Sequence, residues 1–244
     1  MENKLKTLII LPGWGGDHTT WGKFIEQAKK KFSTICIDLP CFGSEPCPSE
    51  VWGIEEYSNF VEKKIIGLQI YRPILLGHSF GGQVAVKLAS GGRLPLAGLV
   101  LCAPPVYRPA NLIRRSIFYL PAKIGQLFFR IPLAESWSTT VKDLFHRLIG
   151  AHDYEKSSGI NREIFKKVIR EDLSHLLGQI INVPTLVVWG TRDSYVPVRY
   201  AKKIVSAIPK AKLVLSPGGN HGLHLQQPEV LLDRIDNFVR SLPV

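Results

Sequence analysis

The 244-residue chain has no run of about 18 uncharged apolar residues, so no segment reads as a membrane-spanning helix. Its first residues, Met1 to Lys6, lead straight into the apolar run Thr7–Leu11, which is too short for a secretory leader and has no small-residue cleavage site after it. The expectation is a cytoplasmic protein. There are only four cysteines, Cys36, Cys41, Cys47 and Cys102, and none has histidine partners at ligand spacing. They read as reduced structural thiols, and no metal site or cofactor is expected. The glycine-rich stretch Pro12-Gly13-Trp14-Gly15-Gly16 lacks both the G-x-G-x-x-G spacing and a Walker lysine, which argues against a nucleotide cradle. No internal repeat and no nucleic-acid-binding motif is present. The net charge of +11 is spread along the chain, mostly between apolar helix positions. That pattern suits a soluble surface, or one that steers acidic substrates, better than a nucleic-acid footprint.

What is present is an alternation of short apolar runs with amphipathic stretches. Runs at Thr7–Leu11, Thr34–Asp38, Arg72–Leu76, Ala97–Ala103, Thr185–Trp189 and Lys212–Leu215 read as strands. Between them, apolar residues recur at helical spacing, as in Tyr57, Phe60, Val61, Ile65 and Leu68, or Leu231, Ile235, Phe238, Val239 and Leu242. Continuous apolar strands separated by helices imply a mostly parallel sheet covered on both faces. Residues 105–177 break this rhythm. They show helical patches punctuated by Pro109, Pro121, Pro132, Gly150 and Gly159, and residues 106–175 hold 12 Lys/Arg against 7 Asp/Glu. The expected division is a core of residues 1–104 and 178–244 with a helical cap or lid at 105–177. Within the cap, the Ile-, Leu- and Phe-rich stretch Leu112 to Leu133 is expected over the site.

Gly77-His78-Ser79-Phe80-Gly81 matches G-x-S-x-G, lying between an apolar strand and a helix. This is the context in which a sharp turn holds a serine hydroxyl clear of the backbone, with the free N–H groups of the helix start beside it. A serine needs a base, and the base needs an orienting carboxylate. Asp193 follows the run Thr185–Trp189, and His221 follows Lys212–Leu215. Active groups gather at the carboxyl ends of parallel strands, so Ser79, Asp193 and His221 are the expected nucleophile, acid and base. The backbone N–H groups of Phe80 and Trp14 are the expected oxyanion donors. Trp14, His78 and His224 are expected to line the substrate pocket, and His224 is the rival base.

With these residues in place, the chain resembles a capped member of the α/β-hydrolase superfamily. The matching segments are Leu11-Pro12-Gly13-Trp14-Gly15, Asp38-Leu39-Pro40-Cys41-Phe42-Gly43-Ser44, the elbow, Trp189-Gly190-Thr191-Arg192-Asp193, and His221 followed by Pro228-Glu229. Pro12 stands where the family pattern has histidine, while Cys41 and Asn220 stand where it has glycine. The resemblance implies an α/β-hydrolase fold of about six mostly parallel strands flanked by helices, with an inserted helical cap and without the family's first hairpin. It implies a serine esterase working through an acyl-enzyme on esters, thioesters or lactones, as a monomer or weak dimer. A serine rather than an aspartate at the elbow argues against dehalogenases and epoxide hydrolases of this family. A non-ester enzyme on the same triad (C–C hydrolase, cofactor-free haloperoxidase or lyase) and a ligand receptor remain open. Trp14 in the oxyanion loop, with a helical cap, is similar to the carboxylesterases of pimeloyl-carrier-protein methyl esters. That likeness suggests an acyl group on an acidic carrier.

Overall fold

A computed structural model of the chain describes residues 5–108 and 159–242. The chain divides into two compact units, residues 1–107 with 159–244, and residues 108–158. The apolar stretch 112–133 lies outside the described residues. Residues 159–177, read from the sequence as part of the cap, pack within the first unit.

The first unit is an α/β sandwich. Its elements run β1 (Thr7–Leu11), α1 (Gly22–Ala28), β2 (Ser33–Cys36), α2 (Ile54–Gly67), β3 (Ile74–His78), α3 (Phe80–Gly91) and β4 (Gly98–Cys102). After the second unit come α4 (Gly159–Val168), a 3-10 turn (Ser174–Gln179), β5 (Thr185–Gly190), α5 (Arg199–Ala207), β6 (Lys212–Ser216), a short α6 (Leu223–Gln226) and α7 (Pro228–Arg240). The six strands form one sheet in the order β2-β1-β3-β4-β5-β6, and every neighbouring pair is parallel.

The apolar runs form strands because both faces of the sheet are covered. β1, β3, β4 and β5 are buried almost throughout, and successive residues feed opposite cores. Leu75, Leu99 and Val187 join one core beneath α2, α3 and α5. Ile74, Leu76, Val100 and Val188 join the other beneath α1 and α7. This period-two division follows from strand geometry. The order of strands reverses between β1 and β3, and ligands of open α/β sheets bind beyond the strand ends at such a point. The carboxyl end of β3 delivers Ser79 there.

One expectation fails. Cys41 and Cys47, read as free thiols, are joined in a disulfide, whereas Cys36 and Cys102 are free. The cause is local. Cys41 has a φ of 77° and its N–H bonds the Pro46 carbonyl at 3.3 Å, so the loop folds back on itself and brings the two side chains together. Among the described residues no helix is long and apolar enough to cross a membrane.

Candidate functional site

Ser79 sits between β3 and α3 with φ 49° and ψ −116°, a region that L-residues rarely occupy. The turn is held by Ser79 N–H donating to the Cys102 carbonyl (2.9 Å) and by Gly82 and Gln83 N–H donating to the Ser79 carbonyl (2.9 and 3.1 Å). The flanking glycines are required by contact. A Cβ on Gly77 would stand 2.6 Å from the Gly81 carbonyl oxygen and 2.7 Å from the Gly82 Cα, and one on Gly81 would collide with the Leu11 carbonyl. Strand, helix and the loop after β1 therefore close tightly around the serine.

Asp193 and His221 meet although 28 residues separate them. His221 Nδ1 lies 2.8 Å from Asp193 Oδ2, and the carboxylate side chain is fully buried. Its other oxygen accepts from Tyr195 and Val196 N–H at 2.9 and 2.8 Å. Carboxylate lone pairs spent on main-chain donors leave one oxygen to fix the imidazole, which assigns the hydrogen to Nδ1 and a free lone pair to Nε2. The Tyr195 ring stacks on His221 with centroids 5.3 Å apart. The loop that carries His221 is braced from below. Gln226 Oε1 accepts from Asn220 N–H (2.7 Å), Asn220 Oδ1 accepts from Gly222 N–H (2.9 Å), and Arg192 N–H donates to the Gly219 carbonyl (2.8 Å).

The loop after β1 reaches the serine. A Cβ on Gly13 would lie 3.3 Å from Ser79 Cβ and 2.9 Å from His78 Nδ1. Trp14, half-buried, is the hub of an aromatic wall whose members are Phe42, Phe80 and Phe165, at centroid distances of 4.9, 5.1 and 4.9 Å. Phe165 comes from α4. A second brace holds this loop to the one after β2. Asp38 accepts from His18 N–H and Nδ1 (2.8 and 2.7 Å) and from Ser44 N–H and Oγ (3.0 and 3.1 Å). Burial pushes the Asp38 carboxyl up, but these hydrogen bonds outweigh it and hold the group below the usual range.

His78 and His224 were expected to line a pocket. Both are buried, and they face each other (centroids 4.8 Å apart) and Trp21. His224 stacks flat on Trp21 at 4.1 Å, with its ring plane 7° off parallel. Burial lowers the His224 pKa to about 4, with the neighbouring His221 adding to the effect. Sequence reasoning missed the Asp38 brace, the Gln226 strut and Phe165. Asp38 and Ser44 lie within a segment that resembles the family pattern, and that was the available signal. Phe165 carried none.

A sequence model of the alpha/beta hydrolase family matches residues 8–234. The chain belongs to that family. It is 23% identical over 255 residues to a pimeloyl-[acyl-carrier protein] methyl ester esterase of Aeromonas hydrophila, covering 95% of this chain and 94% of that protein. A bromoperoxidase from Bacillus anthracis superposes with a TM-score of 0.74 at 19% identity, over 98% of this chain and 93% of that one. An esterase from Exiguobacterium antarcticum does so with a TM-score of 0.74 at 18% identity, over the same shares. The chain has the alpha/beta hydrolase fold, here with six parallel strands in one sheet flanked by helices.

Proposed function

We propose that the protein hydrolyses carboxylic esters, thioesters or lactones through Ser79, His221 and Asp193. The observation that carries this reading is the 2.8 Å hydrogen bond from the buried Asp193 carboxylate to His221, a histidine whose loop is tied to the elbow carrying a strained Ser79. Ser79 Oγ attacks the acyl carbonyl as its proton passes to His221 Nε2. Negative charge gathers on the carbonyl oxygen, where the N–H groups of Phe80 and Trp14 receive it. The bond from the acyl carbon to the ester or lactone oxygen, or to the thioester sulfur, then breaks, and that atom takes the proton from His221 as it becomes an alcohol or thiol. Water repeats the sequence on the acyl-enzyme, releasing the acid and restoring Ser79. Asp193 keeps the imidazole in the tautomer that this traffic requires and stabilises the imidazolium.

The aromatic wall of Trp14, Phe42, Phe80 and Phe165 supports an apolar acyl group. Each methylene buried there contributes about 0.8 kcal/mol, roughly fourfold in affinity per carbon. The net charge of +11 and the pimeloyl-carrier esterase relative support an acyl group delivered on an acidic carrier. The bromoperoxidase neighbour keeps a non-ester reaction on the same triad as the second reading. A panel of p-nitrophenyl esters of two to eight carbons separates the two. Turnover that rises with chain length and then falls supports the esterase. No turnover by a protein whose Ser79 still reacts with a fluorophosphonate moves the assignment to the non-ester class.

A further inference from the structure

His78 is the residue on which the elbow, the base loop and the oxyanion loop converge. It ends β3 and is covalently next to Ser79. Its Nε2 lies 2.9 Å from the backbone carbonyl oxygen of His221, 143 residues away. A carbonyl only accepts, so Nε2 carries the hydrogen and Nδ1 is bare. That bare edge faces Gly13, where an added Cβ would stand 2.9 Å from Nδ1. The His78 ring also lies against the ring of His221, with centroids 4.9 Å apart. Trp21 and His224 also pack on it, at 5.9 and 4.8 Å. A core-filling residue would need none of this directionality.

We propose that His78 is a positioning residue: through its Nε2–H bond to the His221 carbonyl it sets the height and tilt of the base over Ser79, and its ring sets the approach of the oxyanion loop. The inference rests on His221 being the general base. It gives the bond a task that packing lacks. His221 must move a proton between Ser79 and the leaving group, and an error of a fraction of an ångström in its backbone passes directly to Nε2. Neutrality is part of the task. Burial, and then the proximity of His221 and His224, hold the His78 pKa well below its ordinary value. An uncharged His78 does not oppose the imidazolium that forms on its neighbour. The ionisable groups around it are His221 and His224 from the loop and short helix above, Asp193 behind His221, and Cys102 from β4, opposite it in register. Burial raises the Cys102 thiol to about 12, so it too stays neutral.

The test pairs His78→Phe, which keeps a planar ring and loses the donor, with His78→Gln, which keeps an N–H able to reach the carbonyl. Ester kcat, KM and the pH profile are read for both, alongside His221→Ala. His78→Phe is expected to lose kcat roughly 10- to 100-fold, the scale of one buried hydrogen bond. Its KM should stay within about twofold, and its acid limb should move. His78→Gln should recover part of kcat. Packing alone predicts the reverse order of the two variants. His78→Phe with native kcat and pH profile, beside an inactive His221→Ala, overturns the proposal and leaves the base assignment standing. An active His221→Ala overturns both. Nitrogen-15 NMR of the native protein gives a second reading that no unstable variant can spoil. A neutral His78 protonated on Nε2 near neutral pH agrees with the proposal, and an Nδ1–H tautomer or a cation contradicts it.

Discussion

The two flanks of Ser79 are built from different rings. On one lie Phe42, Phe80 and Phe165 around Trp14, at centroid distances of 4.9, 5.1 and 4.9 Å, offering carbon surface apart from the single indole nitrogen of Trp14. On the other lie Trp21, His78, His224 and His221, whose rings carry nitrogen. Among the described residues, Trp21 Nε1, His78 Nδ1 and His224 Nδ1 are buried without a hydrogen-bond partner. Carbon rings bury apolar groups and tolerate sliding, because the hydrophobic effect has no direction. Nitrogen rings orient their neighbours, and each unpartnered buried nitrogen costs stability. The division matches a site in which one flank selects the substrate and the other aims the chemistry.

The largest effect should come from the nitrogen flank. His221→Ala should lower kcat by roughly 10³-fold or more, whereas His224→Ala, which removes a ring stacked on Trp21, should cost far less. Steady-state kinetics on one ester checks both, and the opposite ranking would make His224 the base. The same flank should also set the acid stability of the protein. An unfolded histidine takes a proton below about 6.5, whereas folded His224 resists until about 4. Between these values the unfolded chain holds more protons, so stability falls with pH from about 6.5 to about 4 and levels off below. His224 alone accounts for roughly 3 kcal/mol of that loss at most, and His78 acts in the same direction. Denaturant midpoints across that range should fall for the native protein and fall less for His224→Phe. Equal slopes would mean that the ring is accessible to protons.

Gly13→Ala tests where the flanks touch. Its Cβ would press on His78 Nδ1 and Ser79 Cβ. It should lower stability by about 1–3 kcal/mol and reduce kcat for esters of every chain length alike. The smallest effect belongs to the carbon flank. Phe165→Ala should lower kcat/KM for an eight-carbon ester by about tenfold and leave a two-carbon ester within about twofold. A uniform loss would remove Phe165 from the acyl pocket.

The sheet was legible because parallel strands buried on both faces are continuous apolar runs. Thr7–Leu11, Thr185–Trp189 and Lys212–Leu215 were each placed within a residue of the observed ends. Asp193 and His221 were legible because they follow strands whose carboxyl ends share an edge. The rest depended on contacts that spacing does not encode. His78 reads as a residue beside a nucleophile, and its partner is a carbonyl 143 residues on. Trp21 and His224, stacked ring on ring, are 203 residues apart in number and carry no motif. The Cys41–Cys47 bridge was missed because the cysteines were judged by ligand spacing and compartment, whereas a left-handed turn at Cys41 decided it. Helix α4 was grouped with the insertion because it follows the break in rhythm, yet its Ile164 and Val168 belong to the core under α3.

The esterase mechanism stands on a strained Ser79 acting as the nucleophile with His221 as its base. Intact-mass and peptide mass spectrometry after treatment with a fluorophosphonate tests it most directly. A single adduct is expected on the peptide containing Ser79, slowed strongly in His221→Ala and absent in Ser79→Ala, with the fold of each variant unchanged by circular dichroism. An adduct that persists in Ser79→Ala, or labelling at native rate in His221→Ala, would contradict it.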